Sequence, residues 1–200
     1  RIQIERLENE NLDLVASALS FIDSDGRPLP GIWERPEEAV HHHWGALLER
    51  NWIGTPSVML RRSVLNNVGL FDEQFRHAED YDLWLRIGRA HRIGYVPSTL
   101  IQCRRHAANM SMNIGSHQQF ERIALQKVAR GEAYRALMRL YADAQPRAEA
   151  WIWFLLRRGD PAFADEAELA IKQYRGSRSL RFAMGVYQFD SAQYDAALAT

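Results

Sequence analysis

A chain of 200 residues with 46% hydrophobic content can bury a real core and is long enough for one domain or one and a half. Its 25 Lys and Arg balance 25 Asp and Glu, so no net field draws it to nucleic acid or an anionic membrane, and any phosphate site has to be local. The single cysteine, Cys103, excludes an internal disulfide; with no signal peptide and no apolar run of membrane-spanning length, a soluble, cytoplasmic protein is expected.

In chain order, residues 2–10 read as a helix and "LDLVASALSFID" (12–23) as an apolar strand, followed by the turn dipeptide Asp25-Gly26. "GRPLPGIWERP", with three prolines, reads as loop. From Pro36, the recurrence of Val40, Trp44, Leu47 and Leu48 on one side predicts a helix to about Arg50. "PSVMLRR" reads as a short buried strand, and "RSVLNNVG" as one or two helical turns closed by Gly69. A helix is predicted over about 79–91, then two short strands, "RIGYVP" and "STLIQCRRH". Such alternation is the pattern of an α/β layer domain.

Beyond the polar linker "AANMSMNIGS" the character turns helical. Phe120, Ile123, Val128, Tyr134, Leu137, Met138 and Tyr141 fall close to helical spacing, with Gly131 the weak point. "AEAWIWFLLRR", "DEAELAIKQYR" and "SLRFAMGVYQFDSAQYDAALA" follow as further helices. The last has part of the small-and-aromatic spacing of a tetratricopeptide repeat in Gly185, Tyr194 and Ala197, without a second clean copy. The chain opens on Arg1 and closes inside a helical run with no stop signal, so a fragment of a longer protein is expected.

The helix "EDYDLWLRI" poses a chemical question, because an acid heads its apolar side. Asp80 shares a face with Leu83, Trp84 and Ile87, whereas Asp82 pairs with Arg86 at i, i+4 on another face read as solvent-facing. Two roles fit Asp80. It is a first-turn acid stabilised by the helix dipole, or a carboxylate at the floor of a cleft, kept ready to take a proton from a bound hydroxyl.

The stretch "NWIGTPSVMLRRSVLNNVGLFDEQFRHAEDYDLWLRIGRAHRIGYVPSTLIQCRRHAANMS" (51–112) resembles the second half of family 2 glycosyltransferases, which have the A-type nucleotide-sugar-binding fold. "SVMLRRSVL", "VGLFDE", "EDYDLWLRI", "IGYVPSTL" and "RRHAANMS" match in order and separation. With the opening "RIQIERLENENLDLVASALSFIDSDG", the resemblance covers 1–112. It implies the C-terminal part of a nucleotide-diphospho-sugar transferase domain with a mixed sheet and flanking helices, followed over 113–200 by an all-α extension. It also implies an inverting transfer of a sugar from a nucleoside-diphosphate donor to a glycan or lipid-linked acceptor. Asp80 is then the general base and Glu79 an acceptor-site residue. A divalent cation, Mg or Mn, is expected, ligated mainly by residues upstream of Arg1. The nucleotide-binding half is expected to be missing, leaving the fragment inactive by itself.

Further candidates carry two readings each. Asp23 and Asp25 of "DSDG" resemble a metal-gripping Asp-X-Asp, but a hairpin turn is the preferred reading. Arg105 and His106, with Arg104, sit where such enzymes place a diphosphate-covering loop; Arg105 is a candidate phosphate contact and His106 a weak metal ligand, against a surface basic cluster. Trp84 is a candidate for stacking on an acceptor sugar, against core packing. Thr55 and Ser57 are candidate acceptor-binding hydroxyls, against ordinary polar residues at a strand edge. "HHHW" (41–44) lacks the i, i+4 His spacing of a shared metal site and reads as Glu37–His41 and Glu38–His42 pairs. Cys103 reads as a packed strand thiol. "WIWFLLRR" (151–158) reads as an interhelix stripe rather than a peripheral contact with the inner face of a membrane. No nucleic-acid partner is expected. The rival function is a degenerate transferase domain kept as a binding scaffold, its helical tail recruiting a protein partner; an inward-facing acid argues against it.

Overall fold

A computed structural model describes residues 1–37, 42–106, 114–141 and 143–198, with the backbone alone at 114 and 192–198. Helix α1 (Ile2–Asn9) leads into β1 (Leu14–Ile22), the central strand of a mixed sheet. β4 (Ile93–Arg104) pairs with β1 in parallel along one whole edge. Two antiparallel partners share the other edge: β3 (Met59–Leu60) against Leu14 and Val15, and β2 (Pro28–Trp33) against Leu19 to Ile22. The period of two along β1 sorts its side chains. Leu14, Ala16 and Ala18 join the main core, while Val15 packs with Leu7, Leu12 and Val96 on the opposite face.

The Pro-rich stretch expected as loop is strand β2. Proline lacks an N–H to donate and is therefore excluded from central strands but tolerated on an edge, which is where β2 lies. The two short strands expected at 92–106 are one strand. A register shift between Ser17 and Ala18 absorbs Pro97 and Ser98 and another between Ala18 and Leu19 absorbs Leu100, so the strand continues without a turn. The Asp25-Gly26 turn joins β1 to β2: the Asp23 carboxylate accepts the N–H groups of Asp25 and Arg27, and Gly26 takes φ +86°.

α2 (His43–Glu49) is shorter than the sequence suggested, and the expected Glu37–His41 and Glu38–His42 pairs involve residues outside those described. α3 (Arg62–Val68) ends at Gly69 and α4 (Glu79–Ala90) begins at Ala78, a buried alanine in the left-handed region at φ 53°. Tyr81, Leu83, Trp84, Leu85 and Ile87 are all buried, because α4 is packed by α2, α3 and α5 together.

The helical run expected over 120–141 is two helices, α5 (Ile114–Gln126) and α6 (Arg130–Leu140), broken before Gly131 rather than at it. α7 (Ala144–Arg158), α8 (Phe163–Gln173) and α9 (Arg178–Leu198) complete the chain. The "WIWFLLRR" stripe lies between helices: Phe154 and Leu155 are fully buried, Trp151 Nε1 donates to Glu166, and Trp153 Nε1 donates to Ser179 Oγ at 2.9 Å. One hydrophobic cluster runs from Leu14 of β1 to Ala183 of α9.

Candidate active site

α4 carries Glu79 and Asp80 in its first turn. The Asp80 carboxylate lines a cavity of about 220 Å³ whose walls come from five places: Leu19 and Phe21 of β1, Trp33 of β2, the segment from Asn51 to Pro56, Cys103 and Arg105 at the end of β4, and His117 and Glu121 of α5. Asp80 is held from two sides. Thr55 Oγ1 donates to Oδ2 at 2.5 Å, the Tyr81 backbone N–H donates to Oδ1 at 2.6 Å, and Asn51 Nδ2 makes a longer contact to Oδ1 at 3.4 Å. Asn51 Oδ1 is buried without a hydrogen-bond partner among the described residues.

Burial raises the Asp80 pKa above the ordinary carboxylate value, and the neighbouring Glu79 charge adds to the rise; the bonds from Thr55 and Tyr81 and the proximity of His117 oppose it. The outcome is a carboxylate more basic than one in water, at the wall of a cavity. That is the property a general base requires.

The other predicted site residues divide. Thr55 and Arg105 line the cavity with Asp80; the Arg105 guanidinium lies 3.6 Å from the Phe21 ring centroid and its backbone N–H donates to Ile22 O. Glu79 is half-buried beside Asp80 and is not among the lining residues. Ser57 is buried and its hydroxyl donates to Gly54 O at 2.7 Å, fixing the turn rather than facing the cavity. Trp84 is 1% exposed inside the core, also away from the cavity. His106 is exposed just past β4, and residues 107–112 of the expected covering loop lie outside those described. Asp82 corrects the expectation of a solvent face: it is 2% exposed, bonded by Arg86 Nε at 2.9 Å and by Lys127 Nζ of the segment after α5 at 2.8 Å.

Among the described residues no three His, Cys, Asp or Glu side chains converge as a metal-binding group. Asp23 is occupied by its own turn, and Asp25 pairs with Arg27 at 2.8 Å. Engaged in this way, Asp23 and Asp25 form the hairpin turn and are not arranged as a divalent cation site.

Several lining residues carried no motif in the sequence. Asn51 sits in an irregular stretch, and Trp33 in the segment read as loop. His117 and Glu121 were visible only as an i, i+4 pair, 3.7 Å apart in the structure. Arg157 of α7 anchors that pair by donating to Glu121 at 3.0 Å and to the carbonyls of Leu48 and Glu49.

A mixed sheet with flanking helices, and an acid-headed helix opening on a cavity, define an α/β domain like that of the A-type glycosyltransferases. The model of the family described as "Glycosyltransferase like family 2" matches residues 51–153, more than half of the chain, and the chain belongs to that family. A stretch of 72 residues is 33% identical to an uncharacterized glycosyltransferase of Rickettsia conorii and, over the same length, 32% identical to one of Rickettsia felis. These matches cover 36% of this chain and 12% of each relative, so the chain spans a small part of the curated proteins it resembles. Among the described residues no helix is long and apolar enough to cross a membrane.

Proposed function

We propose that this chain forms the acceptor side of an inverting glycosyl transfer from a nucleoside-diphosphate sugar to a glycan or lipid-linked acceptor, with Asp80 as general base. The acceptor hydroxyl oxygen attacks the anomeric carbon as its proton passes to the Asp80 carboxylate. The bond from that carbon to the donor's diphosphate oxygen breaks, and the nucleoside diphosphate departs from the opposite face. One base suffices for such a displacement. Thr55 and Asn51 orient the carboxylate, and Arg105 supplies a positive charge suited to phosphate oxygens.

The observation that carries this proposal is the Asp80 carboxylate itself, made basic by burial and held by Thr55 at the wall of a cavity the size of one sugar ring. The family membership supports the reaction class. Residues 113–200, in this proposal a helical extension of the transferase part, also serve the site through His117 and Glu121.

The test is sugar transfer and donor hydrolysis by the complete gene product, assayed with a panel of uridine, guanosine and thymidine diphosphate sugars beside its Asp80→Asn variant. Loss of turnover in the variant with donor binding intact is expected. Turnover equal in both overturns Asp80 as the base, and no turnover in either favours the non-catalytic scaffold.

A further inference from the structure

Trp33 belongs to the stretch whose prolines suggested loop, yet strand β2 delivers its ring to the wall of the Asp80 cavity. Its cross-strand partner is Leu19, and paired residues on neighbouring strands present their side chains to the same face of a sheet. Leu19 and Phe21, two apart on β1, line the cavity as well. The apolar lining thus includes a small patch of sheet with an indole at its edge, continued by Ile53 and Pro56.

The indole is exposed but fixed. Trp33 is 40% exposed, while its Nε1–H donates to the Trp52 carbonyl at 2.9 Å. Trp52 is itself fully buried, in edge contact with Tyr95 at 5.9 Å and beside His43 at 5.7 Å. Gly54 keeps the approach close, since a Cβ there would stand 2.5 Å from the Leu19 side chain and 3.6 Å from the Trp33 ring. Among the exposed large apolar side chains described, Trp33 alone lines the cavity that holds Asp80. A pinned aromatic face binds with little further loss of side-chain freedom.

Beside the patch the lining mixes Ile53, Pro56 and Cys103 with hydrogen-bonding side chains: Asn51, Thr55, Asp80, Arg105, His117 and Glu121. An apolar surface interrupted by six hydrogen-bonding side chains matches a pyranose ring, which has C–H bonds on a face and hydroxyls around its edge. The cavity, at about 220 Å³, suits one such ring.

We infer that Trp33 is the stacking platform for the acceptor sugar, holding the ring so that a hydroxyl meets Asp80; this rests on the transferase assignment of the Asp80 site. Trp33 is a specificity-determining contact, in the role the sequence suggested for Trp84. The acceptor is accordingly a hexopyranoside with an unobstructed C–H face, whether free or at the end of a longer glycan or lipid-linked chain.

The experiment is fluorine NMR on the complete gene product carrying 5-fluorotryptophan, with the Trp33 signal assigned by its loss in Trp33→Phe. The probes are methyl glycosides of glucose, galactose, mannose, rhamnose and N-acetylglucosamine. At least one should move the Trp33 signal along a saturable curve. Binding should weaken at least tenfold in Trp33→Leu and less than about threefold in Trp33→Tyr, with folding checked by thermal melting. A Trp33 signal unmoved by every glycoside overturns the inference, whether or not Trp33→Leu folds. So does equal binding by a folded Trp33→Leu. Glycoside binding through Trp33 with no transfer from any donor leaves the platform standing and removes the transferase assignment; transfer with an acceptor KM indifferent to Trp33→Leu does the reverse.

Discussion

The Thr55 hydroxyl and the Asp80 carboxylate, 25 residues apart in sequence, meet at 2.5 Å. Thr55 stands in the 3-10 turn Thr55–Ser57 that precedes β3, and Asp80 in the first turn of α4. This bond favours the ionised carboxylate, against the burial that disfavours it. Thr55→Val keeps the shape and removes the donor, so the Asp80 pKa should rise further. Carbon-13 NMR titration of the Asp80 carboxyl should show the midpoint displaced to higher pH, and the acid limb of kcat/KM should move the same way. Thr55→Ser should leave both in place.

Asp80 also sets a stability trade. Its pKa is raised in the folded state, so the folded state binds this proton more tightly than the unfolded chain, where Asp titrates near about 3.9. The stabilising contribution is complete below that unfolded value and disappears as pH rises through the elevated folded value. At neutral pH the ionised group therefore works against the fold. Asp80→Asn should raise the melting temperature at pH 7, with a gain of about 1 kcal/mol, while abolishing transfer. The gain should shrink toward zero as the melts are repeated at falling pH.

Arg157 ties the last part of α7 to two elements of the site region. It donates to the carbonyls of Leu48 and Glu49 at the end of α2 and to Glu121 of α5, the residue that pairs with His117. Arg157→Met fills the stem's volume but leaves two carbonyls and a half-buried carboxylate without their donor. A loss of about 3 kcal/mol is expected from urea unfolding, since breaking a buried pair costs more than replacing it whole. A change under about 0.5 kcal/mol would mean that water replaces the guanidinium fully.

Arg86 does comparable work on the other side of α4. Its guanidinium donates to Asp82, which is buried, and to the carbonyls of Val68 and Leu70, pinning the segment after α3. Arg86→Ala should destabilise by about 3 kcal/mol. Arg86→Lys should recover only part, because a single ammonium cannot serve three acceptors in the fork geometry. Denaturant midpoints of the two variants measure the difference. Equal midpoints would show that charge alone matters at this position.

The sequence was most legible where one element's own period carried the information. The apolar run of β1, the bounds of α4 and the place of Asp80 at its head are all local properties, set by alternation in a strand and by 3.6-residue spacing in a helix. The α/β layering followed from the order of those elements, as did the helical character beyond residue 113. Legibility failed where a neighbour decided the outcome. Prolines argued for loop at 28–33, yet an edge position removes the demand for N–H donors that makes proline unfit for a strand. Asp82 read as solvent-facing because its partner Arg86 was in view, whereas Lys127, which helps to cover it, arrives from 45 residues away.

The sequence by itself determined which residues could be reactive and on which elements they ride: an acid pair at a helix start, a basic cluster at a strand end, and a family motif spanning both. Only the tertiary structure decided which side chains share the cavity. It buried Trp84 and presented Trp33, turned Ser57 inward and left Thr55 on Asp80, and brought His117 and Glu121 from α5. The physical reason is that periodicity fixes the direction of a side chain relative to its own axis, while a cavity is fixed by how separate axes dock, and docking is a sum of packing contacts that no single element contains.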